Sequence, residues 1–244
     1  MNVLLTLAYD GAAYCGWQRQ ENGVSVQQRV EESLGSLYGR NVSATGASRT
    51  DAGVHARGQR AAFKLDERDV SVPLDKLPYA LNARLPEDIV VLKAEEVAEN
   101  FHPIFSAKAK AYEYRLYNAP FMDPLLRSRC AHVRPPLDLQ AMERSAAQLV
   151  GTHDFKAFSA SGSGAKTSVR TVYSIDIISA GPEITIRIRG NGFLYNMVRI
   201  IAGTLVYAGE GKPMDIPAII ASRDREQAGK TMPPYGLCLV EVFY

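Results

Sequence analysis

Hydrophobic positions recur along this chain with two periods, and the changes from one to the other outline its elements. Val3 to Tyr9 is rich in aliphatic residues and alternates, which reads as a strand. Val26, Val30, Leu34 and Leu37 follow at helical spacing within Val24 to Tyr38, and Gly39 supplies a stop. Val42 to Ala44 and His55 to Leu65 read as strands. Val72 to Leu85 reads as a helix with Pro73 tolerated in its first turn, and Ile89 to Val97 as a further strand. Strand, helix, strand, strand, helix, strand is the order of a split βαβ, or ferredoxin-like, unit.

The second half repeats that order without an evident sequence repeat. Ala111 to Tyr117 alternates aromatic and charged residues as a strand, and Leu137 to Val150 is helical with Gly151 closing it. Ser168 to Ser179 and Glu183 to Arg189 form a hairpin turning at Ala180-Gly181-Pro182. Leu194 to Ala208 is a second helix and Leu237 to Phe243 a closing strand. A helix at Ile216 to Arg223 and a loop at Ser159 to Lys166 are insertions on this plan. The expected fold is α+β: two ferredoxin-like (βαββαβ) subdomains, residues 1–104 and 105–244, joined near 100–108, with antiparallel sheets that run edge to edge.

Composition narrows the class only a little. The 244 residues are 46% hydrophobic and 22% charged, enough for one large domain or two small ones with a sizeable core. No apolar run approaches the roughly 20 residues that cross a bilayer. The best, Val198 to Ala208, is too short, and the opening Met1-Asn2-Val3-Leu4-Leu5 lacks the basic start of a signal peptide. Three scattered cysteines (Cys15, Cys130, Cys238) form no pair with metal-ligand spacing, so a reducing cytoplasm is the expected home. A net charge of +2 and a pI of 8.4 leave nucleic-acid binding undecided, and clustering says more. Arg49, Arg57 and Arg60 crowd one loop, and Lys108, Lys110 and Arg115 crowd another segment, where they would supply phosphate contacts.

The chemistry concentrates in Gly46-Ala47-Ser48-Arg49-Thr50-Asp51-Ala52-Gly53-Val54-His55-Ala56-Arg57-Gly58. One carboxylate stands among small neighbours with arginines on both sides. In an extended segment Arg49 and Asp51 project from the same face, and a nearby guanidinium favours the ionised carboxylate of a nucleophile or electrostatic stabiliser. An Asp in a glycine-rich stretch also reads as a plain turn former. Further candidates are Tyr9 to Gln18, with the chain's only Trp; Tyr112, on an alternating strand; Arg199, on an apolar helix where a charge needs a partner; and Pro233-Pro234-Tyr235-Gly236-Leu237. Gly162 to Thr167 lacks the order of a phosphate loop, Gly190-Asn191-Gly192 lacks the third glycine of a dinucleotide fingerprint, and His55, His102, His132 and His153 are scattered. No cofactor and no metal are expected.

Arg49-Thr50-Asp51-Ala52-Gly53-Val54-His55-Ala56 closely resembles the catalytic motif of the tRNA pseudouridine synthase A family. Tyr9-Asp10-Gly11 to Gly16-Trp17-Gln18, Phe105-Ser106-Ala107 with Tyr112-Glu113-Tyr114-Arg115, Gly190 to Arg199 and Pro233 to Leu237 resemble its other motifs in order. Ala12 departs from the Thr or Ser usual there. The resemblance implies a pseudouridine synthase fold and a cofactor-free isomerase that turns uridine into pseudouridine at positions 38, 39 and 40 of the tRNA anticodon arm. It implies Asp51 as the essential carboxylate, Tyr112 stacked on the uracil, Arg199 paired with Asp51, Leu237 lining the base pocket, and a homodimer gripping tRNA. Arg49 would assist extrusion or contact the backbone. Two other readings remain: a nucleoside or glycoside hydrolase, with Asp10 as a second carboxylate, and a noncatalytic RNA-binding module on a ferredoxin-like sheet.

Overall fold

Strand β1 (Asn2–Tyr9) buries six of its eight side chains, which suits a strand paired along both edges. It runs antiparallel to β3 (His55–Lys64) on one side and to β4 (Ile89–Val97) on the other. The outer edge of β3 is shared. The short β2 (Thr45–Gly46) adds antiparallel at Ala61 and Ala62, and β10 (Leu237–Phe243) runs parallel at His55 and Ala56. The order β4-β1-β3-β2 is that of a ferredoxin-like sheet.

This computed structural model describes residues 1–21, 23–66, 72–162 and 164–244. They divide into two compact units, 1–108 with 238–244, and 109–237. In the first unit, α1 (Val26–Tyr38) starts where the Ser25 side chain accepts from the Gln28 N–H and stops at Gly39 in a left-handed conformation (φ 66°), the positions its capping residues dictate. Ser33 of α1 donates to the Leu81 carbonyl of α2 (Leu77–Asn82) at 3.1 Å and ties the two helices together.

In the second unit β5 (Ala109–Asn118) pairs antiparallel with β9 (Glu183–Gly190), β9 with β8 (Val169–Ala180), and β8 with β7 (Gly151–Asp154). The three-residue β6 (Ala131–Val133) runs parallel to the end of β5. Helices α3 (Leu139–Ala147) and α4 (Met197–Gly209) pack on one another, and α5 (Ile216–Ser222) follows. Tyr114, Leu116, Ile186 and Ile188 of the sheet and Ile200, Ile201 and Leu205 of α4 are fully buried core. The fold is α+β with mostly antiparallel pairing, as the hydrophobic pattern predicts.

Several elements differ from the pattern's expectations. Val42 to Ala44 is not a strand. The Ala44 backbone is held by side chains of α1 instead: Glu31 accepts from the Ala44 N–H (3.0 Å) and Gln27 donates to its carbonyl (2.9 Å). Residues 72–76 are not helical, because Pro78 is tolerated only in a helix's first turn, and α2 therefore begins at Leu77. Gly151 does not close α3; it lies at φ 117° and opens β7. Leu194 to Asn196 precede α4 rather than belonging to it. Ser163, within the Gly162 to Thr167 segment and the Ser159 to Lys166 loop, lies outside the described residues.

Candidate functional site

Asp51 stands at the start of a tight turn. The Val54 N–H donates to the Asp51 carbonyl at 3.1 Å, and Gly53 takes φ 77°, the arrangement of a type II turn with glycine in the position that requires positive φ. The turn is anchored on both sides. Before it, the Ala47 N–H donates to the Arg60 carbonyl (2.7 Å), and fully buried Gln59 brackets Ser48, donating to its carbonyl at 2.7 Å and accepting from its N–H at 3.3 Å. After it, β3 begins at His55. The buried Thr50 hydroxyl bonds the Tyr9 hydroxyl at 2.8 Å. Thr50 inward and Arg49 outward leave Asp51 half-buried at the rim.

The Tyr9 to Gln18 segment is the floor of this loop. The Trp17 N–H donates to the Thr50 carbonyl at 3.0 Å, and the Gly53 N–H to the Tyr14 carbonyl at 3.3 Å. Glycine is required by these close approaches. A Cβ on Gly16, itself at φ 108°, would stand 2.6 Å from the Thr50 carbonyl oxygen, and one on Gly46 would stand 2.2 Å from the Trp17 indole nitrogen. At the far end His55 Nδ1 lies 3.0 Å from Asp10 and 3.1 Å from the Gly11 nitrogen. The Tyr14 hydroxyl donates to Asp88 (2.6 Å), and burial followed by that bond pushes its pKa well up. Asp10 is thus a loop anchor, bonded also to the Ala12 N–H.

Exposed Arg49 forms no hydrogen bond or ion pair among the described residues. Arg60, in contrast, is committed to structure: it pairs with Glu95, donates to Thr6 (2.8 Å) and lies over the Tyr244 ring. Its sequence neighbours Arg57 and Arg49 are the exposed cations of the loop.

In the second unit Tyr112 is 6% exposed on β5, opposite Ile188, and the Phe193 ring meets it edge-on at 5.3 Å and 87°. That packing fixes the plane of the tyrosine ring. Arg199 occupies the first turn of α4 and does not lie about two turns in, because the helix starts only at Met197. Its Nε donates to the Met232 carbonyl (2.7 Å) and its Nη1 to the Asn196 side chain (2.6 Å). Asn196 takes φ 61°, a conformation asparagine tolerates, and orients the arginine instead of capping the helix. Leu237, buried, opens β10, and beside it Gly236 leaves room for Tyr114, whose hydroxyl donates to the Pro233 carbonyl at 2.7 Å. Burial pushes that phenol's pKa up, against the opposing charge of Arg199.

Three features of these surroundings have no local sequence signature: the Gln59 bracket, the Phe193 edge and the state of Lys110. Lys110 is partly buried on β5, and burial, helped by the charge of Arg170, lowers its pKa to about 8. Among the described residues no cluster of three His, Cys, Asp or Glu is placed to hold a metal, and no helix is long and apolar enough to cross a membrane.

The model of the family described as tRNA pseudouridine synthase matches residues 6–106 and 145–244. Proteins named tRNA pseudouridine synthase A are similar over almost their full length: 48% identity with that of Ruminiclostridium cellulolyticum (99% of each chain) and 49% with that of Acetivibrio thermocellus (100% of this chain, 99% of the relative). That of Geotalea daltonii is 45% identical over 100% of this chain and 99% of its own. The family model covers the turn that carries Asp51 and the helix that carries Arg199, the full-length relatives also cover the strand that carries Tyr112, and so this chain belongs to the tRNA pseudouridine synthase family.

Proposed function

We propose that this isomerase acts on the anticodon stem-loop of tRNA, at positions 38 to 40, with Asp51 as its essential carboxylate. The observation that carries the reading is the type II turn that holds Asp51 at the rim of a loop otherwise fastened down on both sides. In the reaction the N1–C1′ bond breaks, the uracil turns, and a C5–C1′ bond forms; C5 loses a proton and N1 gains one. The product is an isomer, so nothing is oxidised and no co-substrate is consumed.

Asp51 would act at C1′, as nucleophile or by helping to form a glycal-type intermediate. Tyr112 would take the extruded uracil on its face, held in plane by Phe193, and relay the proton from C5. Extrusion costs a few kcal/mol and stacking returns about 1–3 kcal/mol. Arg199, preset by Asn196 and the Met232 carbonyl, would keep Asp51 ionised. Leu237 would line the base pocket, and Arg49 would contact the RNA backbone. The reading also carries a homodimer and a cytoplasmic setting.

The test is release of tritium from tRNA labelled at C5 of uracil. Wild type should release label from the anticodon arm, and Asp51→Asn, which keeps the shape and removes the charge, should lose turnover by three orders of magnitude or more, about 4 kcal/mol in the barrier. Retained turnover in that variant would overturn the assignment of Asp51. Free uracil would favour a hydrolase, and tRNA binding with no release would favour a noncatalytic module.

A further inference from the structure

Lys110, Tyr112, Gly190 and Ile188 lie on one face of the second unit's sheet, because Lys110 pairs with Gly190 and Tyr112 with Ile188 across β5 and β9. Gly190 removes a side chain from between the strand and Phe193: a Cβ there would stand 3.2 Å from the Phe193 ring. Beyond it the chain passes Gly192, where the place of the missing side chain lies 3.7 Å from Arg170 Nε. Arg170 is held from one corner only. Its Nη1 donates to the Thr167 carbonyl (2.8 Å) and the Val169 carbonyl (2.6 Å), and its Nε and Nη2 have no partner among the described residues.

An Arg fixed through Nη1 with its Nε–Nη2 edge open presents the fork that fits two oxygens of a phosphate. Lys110 adds a compact second charge on the same side. Two partly desolvated cations that repel one another are costly in the free protein, and a shared anion removes the cost. Burial lowers the pKa of both side chains, and Arg170 lowers that of Lys110 further. At Gly192 the bare backbone meets nothing nearer than Arg170 and leaves the space such a ligand needs, whereas Gly190 is filled by the Thr171 carbonyl and the Phe193 ring.

We propose that Lys110 and Arg170 form a phosphodiester-binding subsite beside Tyr112, which grips the RNA backbone next to the extruded uridine and so sets where the uracil lands on the tyrosine ring. The idea rests on the function proposed above for its choice of ligand. Lys110 and Arg170 are positioning residues here, acting on the backbone and not on the reacting atoms.

The test measures tRNA affinity against salt concentration for wild type, Lys110→Met, Arg170→Met and the charge-retaining Lys110→Arg. Removing either cation should make the slope of log affinity against log salt shallower by about one and weaken binding about tenfold at low salt. Lys110→Arg should restore both. Lys110→Met takes away a buried charge, so it should unfold no earlier than wild type, which separates a missing phosphate grip from a damaged fold. A second arm places one neutral methylphosphonate at the linkage on either side of the target uridine. Wild type should lose about tenfold at one of them, and the Met variants nothing more. Unchanged slopes would overturn the subsite. A changed slope with additive losses at both linkages, or competition by inorganic phosphate alone, would overturn its placement at the target nucleotide. Binding is read without turnover, so absence of tritium release from wild type would count against the reaction and leave this test intact.

Discussion

Lys110 shows how one side chain can be costly to the fold and useful to a ligand. Its pKa in the fold is about 8, against an ordinary value of 10.5. Below about pH 8 folded and unfolded chains both hold the proton, and the fold bears the whole penalty of a buried charge. Between the two values the unfolded chain still holds a proton that the fold has released, so stability rises with pH across that window. Lys110→Met should therefore be the more stable protein near pH 7, by on the order of 1–3 kcal/mol, and the advantage should shrink toward about pH 10. Urea unfolding of both proteins at the two pH values checks this, and a constant difference would refute it. None of it is legible in the sequence, where Lys110 is one cation among several; the cost arises from burial and from Arg170 across the sheet. Asp51 is legible, because the glycines and small residues around it form an unbroken local motif.

At the scale of elements, the legible ones have ends set by their own residues. Ser25 and Gly39 fix α1, Gly181 (φ 60°) fixes the β8–β9 turn, and the aliphatic run of β1 carries its own period. Elements set by their neighbours escape such a reading. The strands β6 and β7 have three and four residues, too few for a period, and exist only through their partners. Periodicity alone puts Arg199 well inside α4, because nothing local reveals that Asn196 stands outside the helix. The loop carrying Asp51 is joined to β3 by the Gln59 side chain as well as by the Ala47–Arg60 backbone bond, which yields a prediction for the element as a whole. Gln59→Met keeps the length of the side chain and withdraws both of its bonds to Ser48. Loss of about 1–3 kcal/mol of stability is expected, with a fall in kcat for tritium release and an almost unchanged KM, because the surfaces that grip tRNA elsewhere are intact. An unchanged kcat would mean that the loop holds its shape without the bracket.

At the scale of the molecule, the order of helices and strands identifies the α+β class, but the return of the last strand has no local signal. Residues 238–244 belong with 1–108, and Cys238 and Leu239 pair with the start of β3, about three quarters of the chain away in sequence. The homodimer proposed with the function is also a property at this scale. Sedimentation equilibrium should give twice the 26.7 kDa of one chain at micromolar concentration, and a mass of one chain would sink it. The position of β10 also bears on how a ribosome delivers this protein. Strands β1, β3 and β4 emerge first and can pair at once, yet the edge of β3 beside His55 stays open while the next 129 residues (109–237) are made. Gly58, where a Cβ would stand 2.1 Å from the Val240 carbonyl oxygen, waits through all of that time for its neighbour. The nascent chain thus carries the Asp51 loop early and an unpaired strand edge next to it, so the interval before the last strand arrives is when the chain is most exposed to wrong pairing.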